Sequence, residues 1–199
     1  MLDYGESLLI QCAQEAQAHG VHRWIASIWT LLWTPQFAYK GAAALIPFCQ
    51  QLQQLGIMPV ALYLLDEPDA RLGASAATAI PKAAADARKA CPGPAIAAIY
   101  QTKPLGMQAL DWVGDDQATA PDQLQKLPKI TAGQRYIIVP YGSTPWQRDP
   151  TPYVEFAATH AVAAVLAFAW ATFGQNEGIS VDGQASAYLS AGCRITGLC

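Results

Sequence analysis

Apolar runs of strand length recur along this chain with helix-patterned segments between them, and that alternation limits the folds open to it. Residues 24–29, 58–65, 95–100, 110–114, 135–141 and 162–170 read as strands. Residues 5–19, 39–55, 74–91, 122–127 and 151–160 read as helices. Gly20 and Gly56 close the first two helices, and Pro92-Gly93-Pro94 stops the third. A strand that is apolar throughout, rather than alternating, is buried on both faces. Such strands between helices predict an α/β fold with a parallel sheet covered on both sides.

Two architectures satisfy this order: an open doubly wound sheet and a (β/α)8 barrel lacking some of its units. The glycine loop that cradles phosphates in dinucleotide-binding sheets follows none of the strands. A full barrel takes about 250 residues, whereas this chain has 199. Six strands in that length predict a parallel (β/α) barrel-like sheet of about six units, an incomplete TIM barrel. Residues 2–4 lead straight into a helix, as if they were the tip of a preceding strand, so a barrel cut short at its N-terminus is expected. The whole chain is expected to be one domain, with residues 174–199 as an irregular tail. Uncovered edge strands would favour self-association into a homo-oligomer.

Composition excludes several partners. Charged residues make up only 14% of the chain, its net charge is −3, and its twelve Lys and Arg form no basic stripe. Nucleic acid, whose binding rests on phosphate neutralisation, is not an expected partner. No apolar run reaches the roughly 18–20 residues of a membrane span, so no membrane partner is expected. The first residues lack the basic start and apolar core of a signal peptide, and the compartment is left open. Of five cysteines, Cys12 and Cys49 fall on expected helices as buried thiols. Cys193 and Cys199 lie close enough for a local disulfide, and the odd count leaves at least one thiol free.

The strand tips carry the chemistry. The run from Val60 to Leu65 ends abruptly in Asp66-Glu67-Pro68-Asp69, three acids within four residues. A buried strand has no use for carboxylates at its tip unless they pair, bind a metal or react, and parallel α/β folds build their sites at that end. The other tips offer Trp29 with Trp33, Tyr100 with Gln101 and Lys103, Asp115 with Asp116, Tyr141 with Ser143, and Trp170 with Thr172. Acids and aromatics at one rim point to carbohydrate. Aromatic faces stack on sugars, and paired carboxylates supply the acid and base of glycoside hydrolysis.

The Asp66-Glu67-Pro68 tip resembles the Asn-Glu-Pro motif of clan A glycoside hydrolases, in which the Glu ends the fourth barrel strand. That resemblance implies a general acid/base role for Glu67. Two departures stand beside it. Asp66 replaces the Asn, and the segment matching the clan's seventh strand end, residues 139–143, holds no carboxylate nucleophile. The expected catalytic set is therefore Glu67 as general acid with Asp116 as base, or Asp66 in its place. A water-activating Asp116 would stand about 6.5–9.5 Å from Glu67, giving inversion. Trp29, Tyr100, Asp115, Tyr141 and Trp170 are the expected sugar contacts, and no cofactor is expected. Two alternatives compete: an Mg²⁺ or Ca²⁺ site built from the acids, and an inactive barrel that only binds a partner.

Overall fold

The computed structural model describes residues 6–116, 120–140 and 150–166. The chain forms two compact units, one up to Trp112 and the other from Val113.

The first unit opens with α1 (Glu6–Ala18), β1 (Ile25–Ser27), the single turn α2 (Trp29–Leu32) and α3 (Leu45–Leu55). It continues through β2 (Ala61–Asp66), α4 (Pro68–Leu72), a 3-10 turn at Gly73–Ser75, α5 (Ala76–Ala90), β3 (Ala95–Tyr100) and a 3-10 turn at Met107–Ala109. Next in sequence is β4 (Trp112–Asp115), and the second unit goes on with a 3-10 helix at Pro121–Lys126, β5 (Arg135–Ile138), α6 (Thr151–Thr159) and β6 (Val162–Val165). The strand order is β1-β2-β3-β4-β5-β6. β1 pairs with β2, β2 with β3, and β5 with β6, all in parallel. This is the expected fold class: α/β, with the neighbour-to-neighbour order of an incomplete barrel.

Burial explains the apolar runs. Ala61, Leu62 and Leu64 of β2 and Ile96, Ala97 and Ala98 of β3 are fully buried. Leu45, Phe48 and Leu52 of α3 and Ile80, Ala83, Ala84 and Ala87 of α5 are buried as well. Alanine on the inner stripe of α5 lets its backbone approach its neighbours closely. In the second unit Leu124, Leu127, Ile138 and Tyr153 make a small core, flanked by Tyr136, Phe156, Val162 and Val165.

Three expectations need correction. The helix expected over residues 39–55 begins only at Leu45, because Tyr39 pairs antiparallel with Trp33 and Gly41 takes φ +87°. The short helix expected over residues 122–127 is present as the 3-10 helix Pro121–Lys126. Cys49 is not a free thiol: it is bonded to Cys91, which caps α5. Cys12 is free but exposed, since Ile10 and Ala13 occupy the buried stripe of α1. Among the described residues no helix is long and apolar enough to cross a membrane. Cys193 and Cys199 lie outside the described residues.

Candidate functional site

The acidic tip is shaped by an irregularity in its own strand. β2 and β3 run in register from Ala61/Ala95 to Tyr63/Ala97, but Asp66 then pairs with Ile99. Two residues of β2, Leu64 and Leu65, therefore face one of β3, Ala98, which makes a β-bulge. In a regular strand residues three apart point to opposite faces. The bulge shifts that alternation and re-aims the tip, as bulges beside sites commonly do. Tyr63 and Asp66 consequently meet, the phenol donating to Asp66 Oδ1 over 2.7 Å. Burial, together with the Asp66 charge, pushes the Tyr63 phenol well above its ordinary pKa and keeps it a donor.

Past the bulge, Glu67 donates its N–H to the Ile99 carbonyl and takes a left-handed backbone conformation at φ 49°. Pro68 at the first position of α4 suits the abrupt helix start that follows. A left-handed conformation costs a residue with a Cβ roughly 1–2 kcal/mol. Among the described residues only Phe37 (φ 60°) shares this strain without being glycine.

Both strained residues converge on Arg71. Its guanidinium lies 3.3 Å from Asp66 Oδ2 and 3.6 Å from Glu67 Oε2, while its Nε donates to the Asp66 carbonyl over 2.7 Å. Its Cζ stands 5.0 Å from the centroid of the Phe37 ring, which lies 6.1 Å from the ring of Trp29. Gln101 at the end of β3 approaches Glu67 Oε1 from the other side, at 3.5 Å. The side chains of Asp66, Glu67 and Arg71 are 40%, 27% and 24% exposed, so solute reaches the acids. Glu67 faces a guanidinium and an amide.

The loop that carries Phe37 is firmly built. Thr34 N–H donates to the Ala38 carbonyl, Ala38 N–H donates to Thr34 Oγ1, and Phe37 N–H donates to the Thr34 carbonyl. At its base buried Trp33 sends Nε1–H to the Leu64 carbonyl, inside the bulge, over 3.1 Å. Trp33 thereby belongs to the core rather than to a sugar platform.

Asp69 has a different task from its neighbours. Its carboxylate accepts the backbone N–H groups of Gln101, Thr102 and Lys103 at 2.9, 2.7 and 2.6 Å, and the Thr102 hydroxyl at 3.2 Å. Burial alone would raise its pKa, but the three amide bonds outweigh it and hold Asp69 below the ordinary value. Asp69 thus ties the β2 tip to the loop after β3.

The expected site residues fare differently. Asp66, Glu67 and Trp29 come together around Arg71 and Phe37. Tyr100 is a correction: it is fully buried and donates its hydroxyl to the Leu105 carbonyl, so it supports the loop rather than offering a face to sugar. In the second unit Asp115 ends β4 and is buried, and Asp116 follows it in a turn, half-buried. Tyr141, Ser143, Trp170 and Thr172 lie outside the described residues. Arg71 and Phe37 were not expected. The spacing of Glu67 and Arg71, four apart on a helix starting at Pro68, was a usable signal for the first; nothing in sequence marks the second. For the metal alternative, Asp69 is engaged by four donors, Asp66 and Glu67 share a guanidinium, and no group of three potential ligands occurs among the described residues.

The class this defines is an α/β fold of barrel-like strand order with an acid–guanidinium–aromatic cluster at one strand end. Comparison with protein families finds none that matches the chain, and comparison with curated proteins finds no match either.

Proposed function

We propose that the β2 tip is the centre of a carbohydrate-acting site of glycoside-hydrolase type, with Glu67 as its reacting carboxylate. The observation that carries this reading is Glu67 itself. It is held in a strained left-handed conformation beyond a bulge, solute-accessible, with Arg71 and Gln101 on its two oxygens. Strain of this kind clusters where geometry serves chemistry. The half-buried Trp29 and Phe37 rings beside Arg71 supply apolar surface for a sugar ring.

As general acid, Glu67 would protonate the leaving glycosidic oxygen while a second carboxylate takes a proton from the attacking water, a single displacement with inversion. Arg71 and Gln101 hold the Glu67 oxygens in place. Asp66 is the adjacent carboxylate, oriented by Tyr63 and Arg71.

A second reading, binding without turnover, draws on one feature. Asp66 and Glu67 share the same guanidinium, an arrangement that a purely structural ion-pair cluster would also adopt. A panel of oligosaccharides, screened by calorimetry and by reducing-end release, separates the two. Turnover lost in Glu67→Gln with binding kept supports catalysis. Binding by the wild type with no release from any substrate supports the second reading. A wild type that neither binds nor cleaves any member of the panel removes the carbohydrate proposal.

A further inference from the structure

The Cys49–Cys91 bond joins the middle of α3 to the end of α5 across 42 residues of sequence. The covalent loop encloses β2, α4 and α5, and with them Asp66, Glu67, Asp69 and Arg71. The two Cα atoms are 5.5 Å apart, within the ordinary span of a disulfide. Cys49 is 5% exposed and Cys91 is fully buried, among the residues through which α3 and α5 join the core.

Burial separates a structural disulfide from a labile one, because exchange proceeds by attack of a thiolate on sulfur. A reductant in solution reaches neither sulfur while the helices are docked, so the bond must form before or during their docking. Cysteine pairs stay oxidised in secretory, periplasmic or extracellular surroundings and are rare where glutathione and thioredoxin keep thiols reduced. The exposed Cys12 thiol, remote in sequence from the pair, remains as the unpaired cysteine of this unit.

We propose that this protein folds and works in an oxidising compartment, with Cys49–Cys91 as a buried brace that holds the acid-bearing β2–α5 segment closed. The inference stands independently of the carbohydrate reading. The chemistry balances with an external disulfide as oxidant. One cysteine thiolate attacks it and releases one thiol. The second cysteine then attacks the mixed disulfide and releases the other. In sum, Cys49 and Cys91 lose two protons and two electrons, the external disulfide gains them as two thiols, and one S–S bond replaces another.

The test uses the full chain exported to a bacterial periplasm. Free thiols are alkylated under denaturing, non-reducing conditions, and the digest is read by mass spectrometry. The expected result is a linked peptide holding Cys49 and Cys91, two hydrogens lighter than its halves, with Cys12 alkylated. Cys49 and Cys91 alkylated as fully as Cys12 would overturn the proposal. Reduction of the oxidised chain should be far slower in buffer than in urea. Once reduced, amide exchange over residues 50–90 should rise by up to about 10³-fold, the loop-closure limit for a loop of this length. The Cys49→Ala/Cys91→Ala double variant should exchange like the reduced chain and ignore reductant. Exchange unchanged by reduction, or a double variant that still responds to reductant as the wild type does, would refute the brace.

Discussion

Replacing Asp69 offers the sharpest test of how the acidic tip is assembled. Its carboxylate accepts three consecutive backbone N–H groups and a hydroxyl. Hydrogen bonds to a charged group contribute about 1.5–3 kcal/mol each when buried. Here Thr102 and Lys103 are exposed and Gln101 is half-buried, so water replaces much of what is lost, and the estimate belongs below the sum. Asp69→Ala should cost about 2–3 kcal/mol in total, and Asp69→Asn, which keeps one acceptor oxygen, about 1 kcal/mol. In urea the alanine variant's midpoint should fall by about 1 M, given an m-value near 2 kcal/mol/M. The pH dependence supplies the sign. The folded pKa of Asp69 lies below its ordinary value, so its stabilisation is present above the unfolded pKa of about 3.9 and is lost as pH falls through the folded pKa. Wild type and Asp69→Asn should therefore differ at neutral pH and converge in acid. Amide exchange at Gln101, Thr102 and Lys103 should accelerate in both variants. A gap between wild type and Asp69→Asn that persists unchanged in acid, or slow exchange at those amides in Asp69→Ala, would show that Asp69 does not carry the loop.

Other predictions follow from the same structure. Arg71→Gln should disturb the backbone amide resonances of Glu67 and Phe37 together, although they are 30 residues apart in sequence, while Arg71→Lys restores part of the wild-type pattern; a Phe37 resonance indifferent to Arg71 would break the proposed link. Gly106→Ala should destabilise by about 2–4 kcal/mol, from a left-handed backbone and from overpacking, since at φ +77° its Cβ would meet Pro81 Cδ at 2.8 Å and the Ala76 carbonyl at 2.9 Å; thermal melts matching wild type would contradict this. Trp33→Phe should cost at least about 1–3 kcal/mol by orphaning the Leu64 carbonyl, and chemical denaturation showing less than 0.5 kcal/mol, about the scatter of a surface change, would mean that another donor reaches it.

How much of this was legible beforehand varies with the range of the interaction. β3 was read with its observed limits, because a short apolar run lies between Pro94 and a polar loop. α3 was read too long: residues 39–44 look helical in hydrophobic pattern, yet the pairing of Tyr39 with Trp33 wins locally. The bulge in β2 could not be seen, since a strand apolar on both faces carries no alternation for a bulge to interrupt. Asp69 as a brace was equally hidden, for its partners are backbone amides on the next loop and leave no mark in side-chain identity. That acids end a buried strand was legible, because charge at such a place is a local anomaly. Phe37 was missed because its significance comes from Arg71, 34 residues later, and the Cys49–Cys91 pair because spacing alone does not specify connectivity.

The loop between Trp33 and Tyr39 has one end of its geometry fixed in the core and the other resting on Arg71. Its number of residues is thus a measuring rod between strand and site. Side chains at Pro35 and Gln36 can change freely, since both are exposed. Adding or removing a single residue, however, would carry the Phe37 ring away from the guanidinium while leaving the Trp33 anchor undisturbed. Loop length, rather than loop composition, is therefore the variable by which the mouth of this cluster could be widened or narrowed without unsettling the sheet beneath it.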